Sequence, residues 1–147
     1  MAVALDEARM ALDEGEVPVG AVVVLGGRVL GRGHNQVEAT RDPTAHAEII
    51  ALGAACRAVE VPRLTGATLY ATMEPCPMCA GAIVQARVAR LVYACADPRA
   101  GYCGSLGNIA DDPRLNHRVA VSSGVMAEQA SALLAAFFEA LRARGRT

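Results

Sequence analysis

The sequence predicts a three-layer α/β/α sandwich on a mixed five-stranded sheet. The first observation is the order of elements: helix, hairpin, helix, strand, helix, strand, loop, strand, helix. The second is Gly26-Gly27, which joins two strand-like runs as a hairpin. The third is size and composition: 147 residues with 53% hydrophobic and 20% charged residues suit one globular core. No internal repeat or linker interrupts the chain, so residues 1–147 are expected to form a single domain.

Each element has its own signal. Val3, Leu5, Ala8, Ala11 and Leu12 recur near helical spacing, and Gly15 stands where that helix would stop. Pro18 opens the β-branched run Val19 to Leu25, and a second strand follows from Arg28 to about Gly33. Asn35 to Thr44 is polar and reads as a loop, with Thr44 as the expected N-cap of a helix running from about Ala45 to Val59. Ala67 to Met73 is a strand. Cys76-Pro77 begins another helix, with Pro77 at its first position. Val88 to Cys95 is the fourth strand and Val119 to Val121 a short fifth. Between them Ala96 to Arg118 is rich in Gly, Asp, Asn and Pro; a loop of that length in a compact domain is usually functional, so substrate contacts are expected there. Met126 to Ala143 is an amphipathic helix closed by Gly145.

Composition narrows the function classes. The core must be aliphatic, because the chain has two Phe, three Tyr and no Trp. The longest apolar runs fall short of the about 20 residues that span a bilayer, and no basic start leads into an apolar stretch, so a cytoplasmic protein without a membrane association is expected. The net charge of −1 hides an asymmetry: residues 1–86 carry six Arg against ten acids, residues 87–147 eight Arg against five. A local basic face is therefore expected in the C-terminal part, including Arg142, Arg144 and Arg146. An odd count of five cysteines argues against a disulfide framework and leaves metal binding or free thiols.

The chemistry concentrates in Thr44-Ala45-His46-Ala47-Glu48 and Glu74-Pro75-Cys76-Pro77-Met78-Cys79. His46 offers an imidazole nitrogen, and Cys76 and Cys79 offer thiolates, one ligand short of a closed tetrahedral zinc site, which suits a catalytic water. Placing Cys-x-x-Cys in the first turn of a helix favours the thiolate form. Residues two apart do not face each other along a helix, so His46 and Glu48 can share one water only if the metal sits beyond the helix N-terminus. Glu48 would then carry protons during attack of hydroxide on an amidine-like carbon. An isolated Cys-x-x-Cys also fits a redox pair or half of a structural zinc site. A structural site needs a fourth ligand, and Cys56, Cys95, Cys103, His34 and His117 all lie away from ordinary ligand spacing.

On these residues the chain resembles the cytidine/deoxycytidylate deaminase superfamily and, within it, the bacterial tRNA-specific adenosine deaminases of the TadA type. Glu16-Val17-Pro18-Val19-Gly20-Ala21, Gly33-x-Asn35, Asp42 to Glu48, Glu74 to Ala82, Gly104-Ser105-Leu106, Asn116-His117-Arg118 and Phe137-Phe138 carry the resemblance across almost the whole chain. It implies a cytidine deaminase-like fold and hydrolytic conversion of the wobble adenosine of a tRNA anticodon to inosine. A homodimer would hold one Zn2+ per subunit and no organic cofactor. By motif position His46, Cys76 and Cys79 would bind the metal and Glu48 would shuttle protons. Asn35 would contact substrate; Val17, Ala47, Met73 and Pro75 would line the base pocket; Asp97 would meet the RNA backbone. Arg99, Ser105, Asn116, His117 and Arg118 would contact the tRNA or support the loop. An anticodon loop suits such chemistry, because a base must leave its stack to be deaminated. A deaminase of free guanine, cytosine or a nucleotide, and a non-catalytic RNA-binding protein with structural zinc, are the alternatives.

Overall fold

The computed structural model describes residues 1–145, and Arg146 lies outside them. Helix α1 (Ala2–Asp13) leads into the hairpin β1 (Gly20–Leu25) and β2 (Arg28–His34); then come α2 (Val37–Thr40), α3 (Ala47–Val59), β3 (Thr68–Met73), α4 (Pro77–Gln85), β4 (Arg90–Cys95), β5 (Ala120–Ser123) and α5 (Ala127–Ala143). The sheet order is β2-β1-β3-β4-β5. β1 runs antiparallel to both β2 and β3, whereas β3, β4 and β5 are parallel. The hairpin turns on Gly26 and Gly27, with φ of 57° and 77°, the left-handed pair a two-residue connection needs.

Helices α1 and α5 pack together on one face of the sheet, and α3 and α4 on the other. The main core lies under α3 and α4, where Leu52, Leu64, Leu69, Ile83, Val88 and Leu91 are buried. A smaller cluster around Leu5, Ala94, Cys95 and Ala130 fills the opposite layer. Small residues set how closely the layers meet. A Cβ at Gly31 would lie 2.4 Å from the Ala51 carbonyl oxygen, and one at Gly33 would lie 2.7 Å from that of Ala47. The stripe Ala47, Ala51, Ala55, spaced by four, therefore rests directly on β2 and fixes where α3 begins.

The strands and long helices lie within about two residues of their sequence-expected bounds. Two local expectations are corrected. Thr44 is not the cap of α3: its N–H and hydroxyl both donate to Asp42 Oδ1, at 2.8 and 2.7 Å, and the N-cap is His46. The polar stretch after Asn35 contains the single helical turn α2.

Candidate active site

Two helices present their N-termini to the same point. His46 is the N-cap of α3 and Cys76 the N-cap of α4, both in extended conformation with ψ of 152° and 174°. Each begins its helix the same way, its carbonyl accepting the N–H of Ile50 or Ala80. Pro77 follows Cys76 at the first helical position, where its missing N–H costs nothing. Cys79 lies in the same first turn, fully buried.

His46 Nδ1 lies 3.6 Å from Cys76 Sγ and 3.5 Å from Cys79 Sγ, so the three donors form a tight triangle that could hold a metal ion. Between themselves the two thiols share one proton, which leaves the thiolate on Cys76. Hydrogen bonding from the Cys79 thiol, helped by His46, brings Cys76 down to about 4. Cys79 moves the other way, raised by sharing that proton with Cys76 and by burial. His46 is raised, chiefly by its hydrogen bond to Cys76. The positive ends of two helix dipoles reinforce negative charge here.

Glu48 sits in the first turn of α3, 4% exposed, and burial pushes its carboxyl up. Because His46 is the cap rather than a residue inside the helix, its side chain reaches around the helix end, and both residues face one cavity. That cavity has a volume of about 790 Å3. Val17, Asn35, Ala47, Met73 and Asp97 line it together with His46, Glu48 and Cys76. Asn35 is buried at the wall of this cavity. Phe137, Phe138 and Leu141 of α5 complete the lining, the two rings meeting edge to face at 5.2 Å.

The remaining sequence-expected residues lie elsewhere. Pro75, expected in the pocket wall, is fully buried and is not among the lining residues, and its carbonyl accepts the Tyr102 N–H. Ser105 donates its N–H and hydroxyl to Glu74. Asn116 accepts a hydrogen bond from Arg87 at 3.0 Å, and His117 Nε2 donates to the Val88 carbonyl at 2.7 Å, so both brace the loop. Arg118 pairs with Asp111 and Arg114 with Asp112, so neither guanidinium is an unpaired charge of the loop. Arg99 is exposed, its backbone N–H held by Asp97 Oδ1. The other thiols and imidazoles stand away from the triangle: His34 lies between Glu7 and Glu14, and Cys95 donates to the Thr72 carbonyl.

Two buried carboxylates entered the sequence reading only as members of motifs, with no role assigned. Glu16, 1% exposed, accepts the N–H groups of Glu38 and Ala39 and so anchors α2 at one rim of the cavity. Glu74, 3% exposed, gathers the loop at the opposite rim. The available signal was an acid at the end of an apolar segment, where charge is rarely buried without partners. A third finding concerns Phe137 and Phe138, which entered the sequence reading only as part of a resemblance and line the cavity here.

Comparison with known proteins agrees with this geometry. The family model for MafB19-like deaminases matches residues 1–142. The chain is 47% identical over 139 residues to a tRNA-specific adenosine deaminase of Bacillus subtilis, covering 95% of this chain and 86% of that protein. A solved structure from a study of A-to-I editing by tRNA:A34 deaminases superimposes with a TM-score of 0.88 at 45% identity, covering 91% of this chain and 97% of the other. A guanine deaminase from Bacillus subtilis is more distant, with a TM-score of 0.64 at 32% identity and coverage of 96% and 90%. The chain thus belongs to the deaminase family that includes the bacterial tRNA-specific adenosine deaminases.

Proposed function

We propose that this chain is a zinc-dependent hydrolase that converts the wobble adenosine of a tRNA anticodon to inosine and releases ammonia. One observation carries the chemistry: two members of the donor triangle, His46 and Cys76, line the same cavity as the buried carboxylate of Glu48. The donor set fits zinc. An imidazole nitrogen about 2.0–2.1 Å and a thiolate about 2.3 Å from one tetrahedral ion lie about 3.5 Å apart. The nitrogen–sulfur separations of 3.5 and 3.6 Å agree with that spacing.

In this reading His46, Cys76 and Cys79 hold one Zn2+ per subunit. When bound, zinc supplies a Lewis acid that makes water acidic enough to attack at neutral pH. Glu48 would take one proton from the attacking water to the ring nitrogen and then a second, from the hydroxyl newly added to the carbon, to the departing amine; its raised affinity for protons suits that shuttle. Asn35 offers its amide to the nucleotide, Val17, Ala47 and Met73 hold the base, and Asp97 stands at the RNA-facing rim. Arg99 is the loop arginine free to meet a phosphate. Residues 1–147 act as a single deaminase domain.

The RNA substrate and a homodimer are supported by the similarity to tRNA deaminases. An apolar groove along α3 and α4, lined by Ile49, Leu52, Gly53, Cys56 and Ala82, offers a surface for the second subunit. No helix among the described residues is long and apolar enough to cross a membrane, and a tRNA substrate implies the cytoplasm. Deamination of free guanine is the second reading, favoured by the similarity to the guanine deaminase fold. Inosine formation in an anticodon stem-loop, against ammonia release from guanine, separates the two.

A further inference from the structure

The chemistry above makes no use of Glu74, although it is the most heavily engaged side chain bordering the cavity. Its Oε1 accepts the Asp97 N–H at 3.0 Å and the Ser105 hydroxyl, and its Oε2 accepts the N–H groups of Cys103 and Ser105, each at 3.0 Å. Four donors fill the lone pairs of the carboxylate, so it has no capacity left to bind or protonate a substrate. Gly101 closes the shell: a Cβ there would lie 2.3 Å from Glu74 Cδ. All four donors come from one loop. Within it Asp97 Oδ1 accepts the N–H groups of Arg99 and Ala100, and the Asp97 carbonyl accepts that of Gly101. Asp97 and Ala100 are the residues of this turn that line the cavity.

We propose that Glu74 is a positioning residue that templates the 97–105 loop as the substrate-facing wall of the cavity, and so controls how tightly the nucleotide is held rather than how fast its C–N bond is hydrolysed. The inference rests on the deaminase reading and extends it to a residue that touches neither substrate nor metal. A competing role would be support of the metal-binding turn, since Cys76 lies only two residues on. That turn has its own supports, Pro77 at the first helical position and the Ala80 N–H on the Cys76 carbonyl.

Glu74→Gln tests the assignment. The amide keeps one acceptor oxygen and gains a donor. Its least costly orientation turns the NH2 toward the Ser105 hydroxyl, which can accept, and leaves the Asp97 N–H without an acceptor. In the zinc-loaded variant, hydrogen exchange at the Asp97 amide should rise about tenfold or more, while the amides of Cys103, Ser105 and β4 stay protected. The variant should keep one metal ion per chain. KM for an anticodon hairpin should rise about tenfold or more, with kcat within about threefold of the parent. Loss of metal, a fall in kcat at unchanged KM, or unchanged exchange at Asp97 would overturn the proposal. Ser105→Ala supplies a second test, with the opposite expectation, should E74Q not fold. It keeps both carboxylate oxygens, so the Asp97 amide should stay protected; lost protection there would transfer the role from Glu74 to Ser105. If the parent protein leaves the hairpin unedited, the deaminase reading fails, and exchange at Asp97 still decides what Glu74 does.

Discussion

His46 and Cys76 occupy the same position in two different helices, each the extended residue before the first helical turn, and Nδ1 of one lies 3.6 Å from Sγ of the other. This pairing explains how His46 and Glu48 serve one site although they are two apart in sequence. A cap side chain curls around the helix end, while the residue two positions later projects from the first turn into the same cavity. Converging N-termini also concentrate positive dipole ends where a thiolate must be stabilised.

Glu48→Ala should lower kcat for deamination by about 10²- to 10⁴-fold, the usual contribution of a positioned proton carrier, while metal content stays at one ion per chain. Parallel measurement of inosine formation and bound metal checks this. Substantial residual turnover would remove Glu48 from the proton path.

Cys79→Ser should lose the metal, because a hydroxyl at this buried position replaces a thiolate in a three-donor set. Elemental analysis of the purified variant reads the outcome, and full occupancy would contradict the ligand assignment. In the parent protein, chelation should lower the melting temperature, since a ligand that binds only the folded state stabilises it.

Asn35→Ala should weaken kcat/KM for the hairpin about tenfold to a hundredfold, the cost of leaving a substrate polar group unpaired. Asn35 lines the cavity rather than either hydrophobic core, so the melting temperature should change little. A parent-like kcat/KM would show that Asn35 does not meet the substrate.

Burial alone would push the Glu74 carboxyl up, but the hydrogen bonds from Ser105, Asp97 and Cys103 outweigh it and hold the group below its ordinary value of 4.5. A depressed folded-state value contributes stability that is present above the unfolded value and lost as pH falls through the folded one. Acid unfolding of the parent below about pH 4.5 should therefore be steeper than that of Glu74→Gln, followed by circular dichroism. Identical acid limbs would show that the carboxylate carries no such coupling.

Much of this could be read from the sequence for physical reasons. The hairpin was legible because Gly26-Gly27 supplies two left-handed residues between β-branched runs. The site was legible because its donors are chemically distinctive, and Pro77 marks the helix start beside Cys76. The late loop was not, because its shape is dictated from a distance: Glu74 bonds residues 23 to 31 positions away. Thr44 misled for a related reason, as Asp42 captured both its donors and left the capping position to His46. The count of charges included Asp111 and Asp112 but could not show which Arg each would hold: they pair with Arg118 and Arg114.

The central claim is tested most directly by incubating the zinc-loaded protein with an anticodon stem-loop carrying adenosine at the wobble position and measuring inosine by mass spectrometry after digestion. The account predicts conversion of that adenosine alone, slowed about 10²- to 10⁴-fold in Glu48→Ala. An untouched hairpin, with ammonia released from free guanine instead, would contradict it.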